Sequence, residues 1–176
     1  NVMKVSDALN YSVIKKSDLD QDEIAGSFQL LYDTNKDSIH NIALFSLNGK
    51  LLQAAPASVL REGTDVRLEE WFIQAARKTE NIHFGIPVVE HLLSGTDTDY
   101  DWVIPVSRVV QITQGNRIQA AVLLINLSYT SLADIFSSVQ MENGSYIYLI
   151  DQDGKLIYHP RQELIVSGLI HENNLA

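Results

Sequence analysis

The chain has 176 residues, 45% hydrophobic and 20% charged, a composition typical of one or two folded units with cores of their own. Its formal net charge of −9 argues against nucleic acid or an anionic membrane as the main partner, because neutralising phosphates requires clustered Lys and Arg. The sequence contains no cysteine, which excludes disulfides and thiolate chemistry, and no apolar run reaches the roughly 18 residues of a membrane span.

The first 33 or so residues are predicted to form two helices, because apolar side chains recur there at helical spacing. A polar stretch from Lys15 to Asp20 interrupts the apolar stripe, and Ser17 or Asp20 would cap the second helix. We therefore expect a helical stalk over residues 1–38. The apolar residues that carry the pattern are Val2, Val5, Leu9, Val13, Ile24, Phe28 and Leu31.

A short motif occurs twice in the chain and indicates an internal duplication. The sequence IALFSLNGKLL spans Ile42 to Leu52, and IYLIDQDGKLI spans Ile147 to Ile157. In both copies two apolar runs meet at Asn-Gly or Asp-Gly, the signal for a β-hairpin whose tight turn requires a positive φ. If each unit opens with one hairpin and takes about 100 residues, a common domain size, the second unit is expected to be incomplete.

Helical and strand-like patterns alternate between the two hairpins. Leu68 to Lys78 carries its apolar residues on one stripe and predicts an amphipathic helix, and Ser128 to Val139 returns to helical spacing. Three apolar runs predict strands over Ile82 to Leu92, Asp101 to Thr113 and Ile118 to Leu127. With the first hairpin, these runs predict an α+β fold, an antiparallel five-stranded sheet with flanking helices.

The ordered combination of these elements resembles the double Cache sensor family. Besides the N-terminal helix and the first hairpin, the resemblance is carried by the helix at Glu70-Trp71-Phe72, the strand from Tyr100 to Ile104, and SYIYLIDQDGKLIYHP from Ser145 to Pro160. Such sensors carry two PAS-like modules outside the bacterial membrane. The resemblance implies that residues 39–142 form the membrane-distal PAS-like module and residues 143–176 part of the membrane-proximal one.

The resemblance also implies a small-ligand site in the distal module, between the sheet and the segment around its Trp helix. Amino-acid-binding members resemble one another in an Arg-x-Trp-Tyr element, whose Arg holds the ligand carboxylate, and in an acidic residue late in the fifth strand. This chain has Glu69 to Phe72 at those four positions and Asn126 in the fifth strand, so only the Trp is retained. An amino acid is therefore not the expected ligand unless Arg67 supplies the guanidinium.

A site for a small organic ligand combines aromatic walls with a few placed polar groups. The two tryptophans, Trp71 and Trp102, are candidate walls, although an aromatic residue on an apolar stripe ordinarily belongs to the core. The polar candidates include two arginines, because a guanidinium suits a carboxylate. The seven candidate ligand-binding residues are Arg67, Trp71, Phe72, Trp102, Arg108, Asn126 and Tyr129.

No cofactor, metal site or catalytic centre is predicted. His83 and His91 share a strand face but would lie about 26 Å apart at 3.3 Å per residue. The stretch after Asp151 lacks the glycine and the bidentate glutamate of a calcium loop. The serines lack the glycine context of a hydrolase elbow, and there is no glycine-rich phosphate loop. The chain is therefore expected to bind rather than to catalyse.

The preferred hypothesis is an extracytoplasmic input domain of a membrane-anchored bacterial receptor that binds a small molecule. By resemblance, a sensor histidine kinase is the expected parent, and a chemoreceptor or a diguanylate cyclase is the alternative. A competing hypothesis is a PAS-like protein-interaction module whose distal cavity is filled by its own side chains. In the full receptor, the stripe from Val2 to Val13 is expected to pack against the same helix of a second subunit and form a homodimer.

Overall fold

The computed structural model describes residues 21–95, 101–114, 117–138, 146–150, 154–161 and 165. The predicted first helix, the break from Lys15 to Asp20 and the proposed dimer stripe lie outside these ranges. None of the helices in the described ranges combines the length and the apolar character needed to cross a bilayer.

Three helices and ten strands make up the described fold, with a 3-10 turn at Val66–Leu68. The helices are α1 (Gln21–Asn35), α2 (Glu70–Arg77) and α3 (Tyr129–Ser137). The strands are β1 (Ile39–Ser46), β2 (Leu51–Ala55), β3 (Val59–Leu60), β4 (His83–Phe84), β5 (Val88–Val89), β6 (Leu93–Ser94), β7 (Trp102–Gln114), β8 (Arg117–Ser128), β9 (Leu149–Ile150) and β10 (Leu156–Tyr158).

The main sheet is antiparallel and has the strand order β2-β1-β8-β7-β4, with β5 also paired to β7. Two small sheets, β3–β6 and β9–β10, accompany it. The predicted antiparallel α+β fold is therefore confirmed. The sheet has six strands rather than five, because β4 and β5 both pair with the long strand β7 at different positions.

Both predicted hairpins are present. β1 pairs with β2, and Gly49 in their turn has a φ of 85°. β9 pairs with β10, and Gly154, between these strands, has a φ of 79°. A positive φ is the conformation that glycine adopts without strain, which explains why both copies of the motif carry glycine at this point.

Two sequence-based boundaries are wrong, each for a local reason. The run from Ile82 to Leu92 is not one strand: Pro87 has no N–H for a ladder, and Gly85 approaches β7 so closely that a Cβ would lie 2.6 Å from Pro105 Cγ. The amphipathic helix begins at Glu70 rather than Leu68, which belongs to the preceding 3-10 turn and is 78% exposed.

The sheet carries an apolar layer on each face. On one face, Phe28 and Leu31 of α1 pack against a cluster that includes Ile42, Leu44 and Ile125. On the other face, Trp71, Phe72 and Ala75 of α2 pack against a cluster from β1 and β8. Strand alternation produces this division, because successive side chains of β1 and β8 point to opposite faces.

We predict that Phe28→Ala lowers the free energy of unfolding by about 3–5 kcal/mol, because it leaves a cavity between α1 and the sheet. Phe28 is 1% exposed, whereas Leu30 on the same helix is 69% exposed. Leu30→Ala is therefore the matched control and should change the free energy by no more than about 0.5 kcal/mol. Urea unfolding measures both; equal losses would contradict the packing of α1 described above.

Candidate functional site

The face of the sheet that α2 covers, called here the α2 face, carries both aromatic and polar side chains. Asn126 lies opposite Asn41 in the β1–β8 register, and Val122 lies opposite Phe45. Because side chains alternate along each strand, these four residues point to the same face. The central strands therefore present apolar residues near one end of the α2 face and two asparagine amides near the other.

Trp71 anchors α2 to this face. Its side chain is 6% exposed, and its ring centroid lies 5.5 Å from that of Phe45 and 5.6 Å from that of Phe72. The hydroxyl of buried Ser107 on β7 donates a hydrogen bond of 2.8 Å to the Trp71 carbonyl oxygen. Aromatic packing and this hydrogen bond from a strand side chain to the helix backbone together fix the position of α2.

A buried carboxylate and two buried amides form what we call the Glu90 cluster: Glu90, Asn41 and Asn126, which are 2–3% exposed. Oε1 of Glu90 accepts hydrogen bonds from the backbone N–H groups of Leu92 (2.7 Å) and Leu93 (3.1 Å). Oε2 accepts from the side-chain amides of Asn41 (3.3 Å) and Asn126. Asn126 also donates to Asn41 Oδ1 at 3.1 Å.

The four donors explain how a carboxylate is accommodated in this interior. Removing an ion from water costs several kcal/mol, and hydrogen bonds to the charged form offset that cost. Each carboxylate oxygen of Glu90 has two donors, which come from β1, β8 and the backbone of Leu92 and Leu93. The cluster therefore joins the two central strands to the chain that follows Glu90.

Residues 88–94, called here the crossing segment, run across the α2 face. The segment begins with β5, which pairs with β7, and ends with β6, which pairs with β3 through Leu93 and Leu60. Leu92 and Leu93 are buried with Trp71 and Phe72. The N–H of Arg61 donates to the Leu92 carbonyl at 2.8 Å, and the Arg61 Nε is buried.

Sequence reasoning did not single out Glu90 or Arg61. Glu90 sits in an apolar run, and a charged residue in such a run was the available signal. Arg61 follows the two-residue strand β3, and no sequence pattern marked it.

Three of the seven predicted site residues, Trp71, Phe72 and Asn126, lie on the α2 face. Arg67 does not join them. Its guanidinium is exposed and forms a bidentate pair with Asp65, with Nη2–Oδ2 at 2.7 Å and Nε–Oδ1 at 2.8 Å. Hydrogen bonds from Arg67 lower the pKa of the Asp65 carboxyl. Arg67 also packs over Gly49, at the opposite end of β1 from the Glu90 cluster.

The other three predicted residues, Trp102, Arg108 and Tyr129, lie away from the α2 face. Trp102 and Arg108 alternate along β7 with Ser107, whose hydroxyl binds α2, so strand alternation directs them to the opposite face. The Trp102 ring lies 6.4 Å from that of Tyr129, the first residue of α3. The two tryptophans therefore do not face one cavity.

On that opposite side, α3 contacts the second hairpin. The Tyr129 hydroxyl donates to the His159 carbonyl oxygen at 3.0 Å, and its ring centroid lies 5.7 Å from that of Tyr158. Phe136 stacks on Tyr158 at 4.8 Å, and burial raises the pKa of the Tyr158 hydroxyl. Trp102 and Tyr129 are thus part of a packed aromatic junction between the main sheet and β9–β10.

Comparisons with known proteins agree with this architecture. The family model dCache_1, described as Cache domain, matches residues 2–175. The ligand-binding domain of the Pseudomonas fluorescens chemoreceptor CtaA in complex with L-isoleucine has a TM-score of 0.63 at 18% identity, over 93% of this chain and 60% of that one. The ligand-binding domain of the Pseudomonas aeruginosa amino acid chemoreceptor PctC in complex with GABA has a TM-score of 0.58 at 19% identity, over 93% and 66%.

A third solved structure, the ligand-binding domain of a Campylobacter jejuni chemoreceptor in complex with 4-methylisoleucine, has a TM-score of 0.55 at 18% identity, over 82% of this chain and 52% of that one. This chain thus spans less than two thirds of each of the three. At these identities the likeness concerns the fold. No curated protein matches the chain at a significant level. Because the family model covers nearly the whole sequence, the chain belongs to the Cache domain family.

Proposed function

We propose that the chain is the ligand-sensing part of an extracytoplasmic receptor domain and that a small organic molecule binds on the α2 face. The observation that carries the proposal is the Glu90 cluster beside the aromatic end of α2. Small-molecule sites are mostly apolar, with a few precisely placed polar groups that fix the orientation of the ligand. Within the described residues, the α2 face offers that combination.

The spacing along the strands supports one site rather than two. Ser107, which binds the backbone of α2, pairs with Leu124, and Pro105 pairs with Asn126. These two rungs are two residues apart, which is about 7 Å along a strand. A ligand of amino-acid size beside Asn126 can therefore reach the start of α2.

The polar groups suggest how the ligand is recognised. In this chain Glu69 stands where the amino-acid-binding pattern has its carboxylate-binding Arg, and Arg67 is already paired with Asp65. The solved relatives described above contain L-isoleucine, GABA and 4-methylisoleucine. We propose a small polar ligand that binds next to the Glu90 cluster rather than to a guanidinium at the start of α2.

The parent receptor is proposed to be a chemoreceptor. The three solved relatives are chemoreceptor domains, which supports this alternative over the histidine kinase suggested by the run from Ser145 to Pro160. The signalling requirement is the same for either output. A ligand shifts the receptor only if it binds one arrangement of the sheet and its helices more tightly than the other.

We predict that the two tryptophans report ligand binding differently. In Trp102→Phe, Trp71 is the single tryptophan, and its emission should shift with a compound that stabilises the protein, because a ligand on the α2 face changes the polarity around its ring. In Trp71→Phe, Trp102 is the single tryptophan, on the opposite face, and its emission should stay constant. At a hundredfold excess over Kd, the ligand should add about 2.7 kcal/mol of stability.

The compounds are amino acids, carboxylic acids, amines and sugars, first screened by thermal shift. Arg67→Ala is the matched control for recognition. It should keep the thermal shift with ligand, because the Arg67 guanidinium is paired with Asp65. A fluorescence shift of Trp102 alone would indicate that the ligand binds on the opposite face. If no compound stabilises the protein, the competing interpretation, a protein-interaction module without a small ligand, replaces the sensor proposal.

We predict that Glu90→Gln lowers the free energy of unfolding by about 1–3 kcal/mol, because a neutral amide replaces the carboxylate that accepts four buried hydrogen bonds. Glu80→Gln, at an exposed position, is the matched control and should have no measurable effect. The measurement is urea unfolding, with ligand affinity determined on the folded variants. Identical stabilities for Glu90→Gln and the wild type would contradict the role given to the cluster.

A further inference from the structure

The crossing segment is attached to the start of α2 by a histidine and a carboxylate. His91 Nε2 lies 3.2 Å from Glu69 Oε1, and His91 Nδ1 lies 3.0 Å from the Val89 carbonyl oxygen. Glu69 immediately precedes α2, and its side chain does not cap the helix. The Glu69 carboxylate therefore faces the crossing segment. Glu90 and His91, adjacent in sequence, hold the segment on the sheet and on α2 respectively.

The geometry requires a particular protonation state. A carbonyl oxygen and a carboxylate oxygen are both acceptors, so each ring nitrogen of His91 must donate to make both hydrogen bonds. A neutral imidazole has one N–H, and only the imidazolium has two. Both contacts of His91 are therefore complete only when it is protonated.

The charges around His91 act in the same direction. The hydrogen bond to the Val89 carbonyl is the largest cause that raises the pKa of His91; partial burial opposes it, and the hydrogen bond and charge of Glu69 and the charge of Glu90 add to it. A pKa raised by folding gives a contribution to stability that is fully present below about 6.5, the ordinary histidine value. That contribution is lost as the pH rises through the raised value.

We propose that the His91–Glu69 contact is a pH-sensitive latch that holds the crossing segment against α2, so that acidification favours the closed arrangement over the α2 face. The latch itself is independent of any ligand. Its consequence for ligand exchange rests on the proposed function, because the closed segment covers the site proposed there. Ligand entry and release should then be slower in acid than in mild base.

The first test is a histidine NMR titration from pH 5 to 8.5 on the chain as it is. His91 should titrate above about 6.5 in the wild type, and Glu69→Gln should lower its pKa, because the amide carries no charge. Glu70 accepts a hydrogen bond from Gln74 rather than from His91. Glu70→Gln therefore removes a neighbouring charge but should leave the titration of His91 unchanged. An unshifted His91 in the wild type, or one that Glu69→Gln leaves unchanged, would overturn the latch.

The second test is amide exchange of Leu92 and Leu93, whose N–H groups bind Glu90 in the closed segment. Wild type and Glu69→Gln are compared at the same pH, so that intrinsic exchange rates cancel. At pH 5.5 the variant should exchange about two- to fivefold faster, the range expected for an exposed ion pair, and the two rates should converge above the His91 titration midpoint found in the first test. Equal rates at pH 5.5 would mean that the contact does not hold the segment.

Neither measurement uses a ligand, so their outcome is separate from that of the compound screen. If His91 titrates as expected and no compound binds, the proposed function fails and the latch stands. With a stabilising compound in hand, its association rate at pH 5.5 and pH 8 in wild type and Glu69→Gln tests the consequence for ligand exchange. A pH dependence that is the same in both proteins would overturn that consequence.

Discussion

The burial of the Glu90 carboxylate is the constraint on which the α2 face depends. An ion in the interior is tolerated only if its hydrogen-bonding capacity is filled, and the donors here come from Asn41, Asn126 and the backbone of Leu92 and Leu93. These donors meet only when β1, β8 and the crossing segment are all in register. The Glu90 carboxylate thus connects β1 and β8 to the crossing segment. The aromatic residues of α2 pack against these strands and this segment.

The long strands β7 and β8 contribute residues both to the α2 face and to the aromatic junction on the opposite face. Towards the α2 face they contribute Ser107 and Asn126, and towards the other face they contribute Trp102, while α3 starts directly after β8 with Tyr129. The Glu90 cluster and the aromatic junction to β9–β10 are therefore back to back on the same end of the β7–β8 hairpin. If a ligand binds on the α2 face as proposed, a shift of this end of the hairpin would also change the contact between Tyr129 and His159.

Local sequence patterns were sufficient to predict the helices and strands. Which candidate site residues come together depends instead on long-range strand register. The glycine turns and the apolar runs of β7 and β8 were sufficient for the hairpins, because these depend on residues close in sequence. Strand alternation makes Trp102 and Ser107 opposite in direction, but which of them meets α2 depends on how α2 docks. The buried position of Glu90 was not predicted, because its amide partners, Asn41 and Asn126, are far from it in sequence. Its apolar neighbours indicated an ordinary strand.

The alternation of β7 and β8 also limits how this chain can change length. A one-residue insertion within either strand would exchange its two faces, turning Asn126 or Ser107 away from α2 and, in β7, Trp102 toward it. Insertions between Gln114 and Arg117, the last paired residues of this hairpin, leave every rung in place. Homologues that diverge by insertion and deletion should therefore vary in length beyond that end of the hairpin and keep the spacing from Trp102 to Ser107 and from Leu124 to Tyr129.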